Sequence, residues 1–238
     1  MTTTRLVIFD LDDTLIDFAA TRLCAHEQLA VALTGENIDA ATYIQAHTEV
    51  DRPLFVMFEQ GKITRAEYRM RRFHEPFERL KLAPRDGLVA HLNEIFMTCV
   101  NDSPQLYDDV WPVLEALKAR SILTAILTNG PSDGQRRKLL ATGLGDKVDL
   151  FAIGEEIGFS KPHAAAYEAV TKQLGIDRAH TWMIGDSPAL DYDGALNAGL
   201  RALLLDREGT QPDASRRTIR SLSDVASALG LGPGPVSA

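Results

Sequence analysis

Apolar positions along this chain fall into two kinds of run. Short blocks rich in β-branched residues stand at RLVIF (5–9), ILTAILT (122–128), VDLFAI (148–153), TWMIG (181–185) and RALLL (201–205). They are apolar on both faces, which predicts strands of a parallel sheet covered on both sides. From VWPVLEALKAR (110–120) onward, helical patterns separate them: SDGQRRKLLATGL (132–144), HAAAYEAVTKQLG (163–175) and ALDYDGALNAG (189–199). Strand and helix in alternation predict right-handed crossovers and a Rossmann-like, doubly wound α/β fold. Gly143, Gly175 and Gly199 stand where C-terminal caps are expected.

Between 17 and 103 the period changes. No strand pattern occurs there, and stretches such as TRAEYRMRRFHEPFERL (64–80) and RDGLVAHLNEIFMTCV (85–100) repeat every 3.6 residues. The pattern predicts an all-helical insertion over 17–103 within a core built from 1–16 and 104–238. The Gly/Pro-rich end, GLGPGPVSA (230–238), has little to bury and is expected to fray.

Composition narrows the class. The 238 residues are 45% hydrophobic and 24% charged, enough for a sizeable core, with a formal net charge of -8. An acidic average surface repels a phosphate backbone or an anionic leaflet, so no nucleic-acid polymer and no membrane is expected as partner, and no protein partner is implied. Cys24 and Cys99 have no metal-ligand or disulfide-framework spacing and are expected as buried thiols. With no export signal in MTTTRLVIF and no long apolar window, a cytoplasmic location is expected.

In open α/β sheets the ligand lies beyond the carboxyl ends of the strands. The residues just past the apolar blocks are Asp10 and Asp12, Thr128 and Asn129, and Asp186 with Ser187, and Lys161 falls in the loop after the third strand. Asp10 and Asp12 are two apart and project to one side of an extended segment. Converging carboxylates repel unless a cation or a shared proton separates them, and an oxygen-only donor set with a third carboxylate at Asp186 favours Mg2+. A carboxylate held beside such a cation can attack phosphorus to give an aspartyl-phosphate. Thr128, backbone N–H groups and Lys161 would hold the phosphate oxygens, and Asp12 would move the proton.

These segments resemble the haloacid dehalogenase-like superfamily: FDLDDTL (9–15) its first motif, LTNG (127–130) its second, SKP (160–162) its third and IGDSPALDYDGALNAG (184–199) its fourth. The resemblance implies that Asp10 is the nucleophile and Asp12 the general acid/base, which also lends a carbonyl to the metal. It assigns Thr128 and Asn129 to the phosphate, Lys161 to nucleophile and phosphate, and Asp10, Asp12 and Asp186 to magnesium. Thr14, Ser187 and Asp191 would support them. Asp12 marks a phosphatase, because dehalogenases of the superfamily typically lack that residue. The helical insertion matches the superfamily's first type of cap, and FVMFEQGKITRAEYRMRRF (55–73) resembles that of the nucleotidase-like branch. A small phosphorylated metabolite is the implied partner, with a nucleoside 5'-monophosphate preferred. Sugar-phosphate or phosphoglycolate phosphatase, phosphomutase, and a phospho-accepting or inactive binding domain are the alternatives.

Other readings of the same residues are weaker. Counting a calcium loop from Asp10 places Leu15 and Thr21 where Gly and Glu are required. Asp13 and Asp17 are expected as surface or capping residues and Asp193 as solvated surface. His26, His47, His74, His91, His163 and His180 share no spacing and are expected to be structural or exposed. Arg65, Arg69, Arg71 and Arg72 read as a solvated helix face, and Phe55 and Phe58 as core.

Overall fold

A computed structural model describes residues 3–36, 38–210 and 213–232, apart from the Glu59 side chain. The order of elements is β1 (Leu6–Phe9), α1 (Phe18–Thr34), α2 (Ala40–Glu59), α3 (Arg65–Leu80), α4 (Leu88–Asp102), α5 (Val110–Lys118), β2 (Leu123–Thr128), α6 (Ser132–Thr142), β3 (Leu150–Ile153), α7 (Gly154–Ile157), α8 (Ala164–Leu174), β4 (Thr181–Gly185), α9 (Gly194–Asn197), β5 (Arg201–Leu205), β6 (Thr218–Ile219) and α10 (Val225–Ala228). Its contacts divide the chain into two units, Met1–Phe18 with Pro104–Ala238, and Ala19–Ser103. Among the described residues no helix is long and apolar enough to cross a membrane.

In the first unit the strands are parallel and ordered β3-β2-β1-β4-β5-β6. The chain therefore leaves β1 in one direction and returns to its other side at β4, so the strand order reverses between these two. Successive residues of a strand face opposite sides, and both sides here are apolar. Val7 and Phe9 pack with Ile126, Trp182 and Ile184 against Val113 and Leu117 of α5. Leu6 and Ile8 pack with Leu127 and Met183 against Tyr167 and Val170 of α8. Each such side chain removed from water contributes about 1.5–3 kcal/mol, which explains why these runs are mostly apolar, with threonine their polar exception.

The strands are shorter than the apolar blocks: Arg5, Ile122 and Val148 lie outside them. β6, with two residues, has no apolar run to announce it. The segment expected as one helix over 189–199 is a π-helical turn, Pro188–Asp193, followed by the short α9. Asp193 is not simply solvated: its carboxylate takes both Nε and Nη2 of Arg216, at 3.2 and 2.8 Å. The segment from Pro233 to Ala238, expected to fray, lies outside the described residues.

The chain enters and leaves the helical insertion along neighbouring paths. Ile16 bridges to Leu106, and the Asp17 N–H donates to the Gln105 carbonyl at 2.8 Å. The insertion itself is helical throughout its described elements. α1 buries Thr21, Ala25, Leu29 and Leu33, and α4 buries Leu88, Leu92, Phe96 and Val100, each four residues apart as a helix face requires. Thr64 and Glu67 form a reciprocal capping box that starts α3. Phe55 and Phe58 pack with each other and Tyr68 at centroid distances of 5.7–6.2 Å.

Two expectations for this unit are corrected. Cys24 and Cys99 are free but only half-buried. Arg72 is not on a solvated face: it is buried, its guanidinium carbon 4.6 Å from the Phe96 ring centroid and 5.0 Å from that of Phe73. A rigid planar cation tolerates such aromatic walls because it is weakly hydrated. His47 is buried alongside, stacked on Phe73 at 4.7 Å and 5.4 Å from His26. Burial, then Arg72, His26 and Arg22, hold the His47 imidazole well below its usual range. Burial and Arg22 lower His26 against the opposing pull of Asp51.

Because the folded state prefers both rings neutral, the unfolded chain gains protons first as pH falls below about 6.5. The helical unit therefore holds this stability in full above about pH 6.5 and loses it progressively below, at up to ~1.4 kcal/mol per pH unit for each ring. Denaturant midpoints at about pH 7.5 and 5.5 check this. The gap between them should narrow in His47→Leu, and an unchanged gap contradicts the assignment.

Candidate active site

Reversal of strand order between β1 and β4 opens a crevice at the carboxyl ends of those strands. Asp10 follows β1 immediately, and its N–H still donates to the Ile184 carbonyl of β4 at 2.9 Å. Asp186 follows β4. A carboxylate thus follows directly from each of the two strands that flank the switch point.

Lys161 joins these loops. Its Nζ lies 2.5 Å from Asp10 Oδ1 and 2.6 Å from Asp191 Oδ1, with the lysine side chain 2% exposed. The loop that carries it is fixed by Asn129, whose Nδ2 donates to the Lys161 carbonyl at 2.7 Å while its Oδ1 accepts the Lys161 N–H at 2.8 Å. Asn129 therefore touches the backbone of the lysine loop. Asp191 arrives from the π-helical turn, its Oδ2 accepting the Ser187 N–H at 3.0 Å. The Ser187 hydroxyl accepts the Leu190 N–H and starts that turn. Gly185 makes the approach possible: a Cβ there would lie 2.3 Å from the Asp191 carboxyl.

Thr14 is buried, and its hydroxyl donates to Asp186 Oδ1 at 3.4 Å. Thr128 is buried at the end of β2, its Oγ1 accepting from the Gly130 N–H at 3.3 Å and from Gln135 Nε2 at 3.1 Å. The Asp12 side chain does not join the other acids. It turns to α6, accepting from Lys138 Nζ at 2.6 Å and Gln135 Nε2 at 2.9 Å. Asp13 beside it has φ 60°, a left-handed conformation that sharpens the bend of this loop.

Sequence reasoning missed Gln135 and Lys138. One signal for them exists: a helix that begins three residues after Asn129 starts at the mouth of the crevice, so polar residues of its inward face are candidates.

Carboxylate oxygens of Asp10, Asp186 and Asp191 lie within 4.8 Å of one another. Burial pushes the Asp10 carboxyl well above its usual range; Lys161 pulls it down, and Asp191 and Asp186 push it up again. Burial, then Asp191 and Asp13, raise Asp186 to about 7. Burial opposes the charge of Lys161, but Asp10 and Asp191 outweigh it and hold the ammonium above the usual lysine range. Three partly or fully buried acids around one ammonium leave surplus negative charge, so the lysine keeps its proton and Asp10 and Asp186 are driven toward taking one up. An oxygen-only set with this surplus fits a hard divalent cation, and these three acids could bind one.

A doubly wound α/β sheet with aspartates, a lysine and a threonine gathered at its switch point describes an enzyme of the Rossmann-like class. The sequence matches the haloacid dehalogenase-like hydrolases over residues 4–199, and the chain belongs to that family. It is 31% identical over 229 residues to pyrimidine 5'-nucleotidase YjjG of Escherichia coli, covering 94% of this chain and 96% of that protein. It is 30% identical over 198 residues to the HAD-hydrolase YfnB of Bacillus subtilis, covering 82% of this chain and 81% of that protein. The crystal structure of YfnB bound to magnesium superposes with a TM-score of 0.79 over 95% of this chain and 99% of that one, at 25% identity. Phosphoserine phosphatase of Thermus thermophilus is 34% identical over 146 residues, 61% of this chain and 57% of that protein.

Lys161→Met removes the ammonium and leaves buried carboxyls uncompensated. In EDTA it should lower unfolding free energy by about 3–5 kcal/mol, read from urea curves. The loss should be smaller at about pH 5, where Asp186, raised by burial to about 7, has taken up its proton and less charge is left uncompensated. A midpoint equal to that of the unaltered protein contradicts the pairing.

Proposed function

We propose that this chain is a Mg2+-dependent phosphomonoesterase that works through an aspartyl-phosphate on Asp10, with a nucleoside 5'-monophosphate as substrate. The observation that carries this reading is the Lys161 ammonium between Asp10 and Asp191 at the switch point. A nucleophilic carboxylate must face an anion, and a buried cation in contact with it is what the attack demands. The preference for a nucleotide is supported by the likeness to pyrimidine 5'-nucleotidase YjjG over nearly the whole chain.

Asp10, Asp186 and the Asp12 carbonyl would hold Mg2+, with Asp191 beside them. That ion would favour the ionised carboxyls and offset phosphate charge. The chain supplies the rest. An Asp10 oxygen forms the new bond to phosphorus as the bond to the ester oxygen breaks, and Asp12 delivers a proton to the leaving oxygen. Asp12 then takes a proton from water as that water attacks phosphorus, freeing Asp10 and inorganic phosphate. Thr128 and Lys161 donate to the equatorial oxygens, with Asn129 fixing the lysine loop. The helical unit is read as the cap that sets specificity.

A screen of pyrimidine and purine 5'-monophosphates, phosphoserine, phosphoglycolate and sugar phosphates, with Mg2+ and with EDTA, tests this. Turnover should be highest on nucleotides, vanish in EDTA, and fall at least about a thousandfold in Asp10→Asn. Turnover of none of them overturns the phosphatase reading, whereas faster turnover of phosphoserine or phosphoglycolate overturns only the nucleotide preference.

A further inference from the structure

Asp12 is asked to act twice in one turnover, first giving a proton and then taking one, and both steps depend on where its carboxyl points. It follows β1 by three residues, in a loop bent at Asp13, and its side chain is half-buried. Its two oxygens are held separately, Oδ1 by the Lys138 ammonium at 2.6 Å and Oδ2 by the Gln135 amide at 2.9 Å. Gln135 and Lys138 are three apart on α6 and so share one face of the helix. Both are buried. The family motifs account for neither residue.

From this geometry we infer that Gln135 and Lys138 are positioning residues which clamp the Asp12 carboxyl in the orientation from which it serves both proton transfers. The inference rests on the reading of Asp12 as the acid/base.

Three further features fit a built clamp. Gln135 Nε2 also donates to Thr128 Oγ1 at 3.1 Å, so one amide fixes the acid/base relative to the phosphate-binding hydroxyl. A Cβ on Gly130 would lie 1.7 Å from that Nε2, so the glycine of the LTNG stretch clears the path the amide takes. The Lys138 ammonium lies 5.0 Å from the centroid of the Phe18 ring, which walls it on another side. The helix that carries the clamp is itself anchored. The Ser132 N–H donates to Glu155 at 2.8 Å, and Arg136 makes a two-point contact with Glu156 at 2.6 Å for each bond.

A residue that acts through Asp12 should matter only while Asp12 can act. The test is a double-mutant cycle on para-nitrophenyl phosphate, whose leaving group needs no proton, so Asp12→Asn loses only the activation of water at the second step and should retain measurable turnover. With Asp12 present, Lys138→Met should lower kcat about ten- to a hundredfold and change KM less than about threefold, because misplacing a reacting group costs rate more than binding. In the Asp12→Asn background the same substitution should cost less than about twofold, and Lys138→Arg should recover part of the loss when Asp12 is intact.

An equal fold-loss in both backgrounds, or no loss in either, overturns the clamp while leaving the phosphatase reading in place. Should Lys138→Met fail to fold, Gln135→Leu carries the same comparison, since it leaves the lysine and the Arg136 to Glu156 contact intact. Asp12→Asn turning over as fast as the unaltered enzyme removes the acid/base role and the clamp with it. No hydrolysis by the unaltered protein overturns the phosphatase reading itself.

Discussion

One buried ammonium organises the catalytic end of this molecule. Lys161 sits 2.5 Å from Asp10 and 2.6 Å from Asp191, almost wholly out of water. Charges so placed are costly alone, and their mutual attraction offsets that cost only with close geometry and full hydrogen bonding. Asn129 supplies that geometry for the lysine loop, and the Ser187 backbone does so for Asp191. The sheet supplies the rest, because the reversal of strand order between β1 and β4 brings Asp10 and Asp186 to one crevice although 176 positions separate them in the chain (186 − 10). Remove the ammonium and the remaining acids repel; remove an acid and the ammonium is left short of partners.

Around this centre the acids fall into two groups by environment. Carboxylate oxygens of Asp10, Asp186 and Asp191 lie within 4.8 Å of one another, and the surplus of negative charge there is what a divalent cation would answer. Asp12, two residues from Asp10, turns from that group to Lys138 and Gln135. In the proposed mechanism that separation keeps the carboxyl that would carry protons apart from the carboxyls that would hold metal and bond to phosphorus. Two glycines make the packing possible without themselves touching any ligand. Gly185 admits the Asp191 carboxyl and Gly130 admits the Gln135 amide.

The sheet was legible in the sequence wherever burial on both faces forced a continuous apolar run, as at RLVIF and TWMIG. It was illegible at β6, where two residues cannot show a period, and at the π-helical turn, whose residues read like any helix start. Asp10, Thr128 and Asp186 stood out because each closes or follows an apolar run, and Lys161 because SKP takes its place in the ordered set of motifs. Gln135 and Lys138 did not, because on a polar helix such as SDGQRRKLLAT a buried donor looks the same as a solvated one until tertiary structure turns the face inward. Arg72, expected on a solvated face, was misplaced for the same reason, and which of the two expected states His47 would take, structural or exposed, was not legible either. Their aromatic surroundings come from Tyr68, Phe73 and Phe96 on different turns and helices, a proximity that linear spacing does not express.

Phosphorylation of Asp10, as proposed, is read directly by a covalent trap. An acyl phosphate is reduced by borohydride to the alcohol, whereas an ordinary carboxylate is not. Quenching a turning-over sample into borohydride, digesting it and sequencing the peptides by mass spectrometry should place homoserine at position 10 and nowhere else. Homoserine at position 12 or 186, or an unmodified position 10 in enzyme that is turning over, would contradict the account.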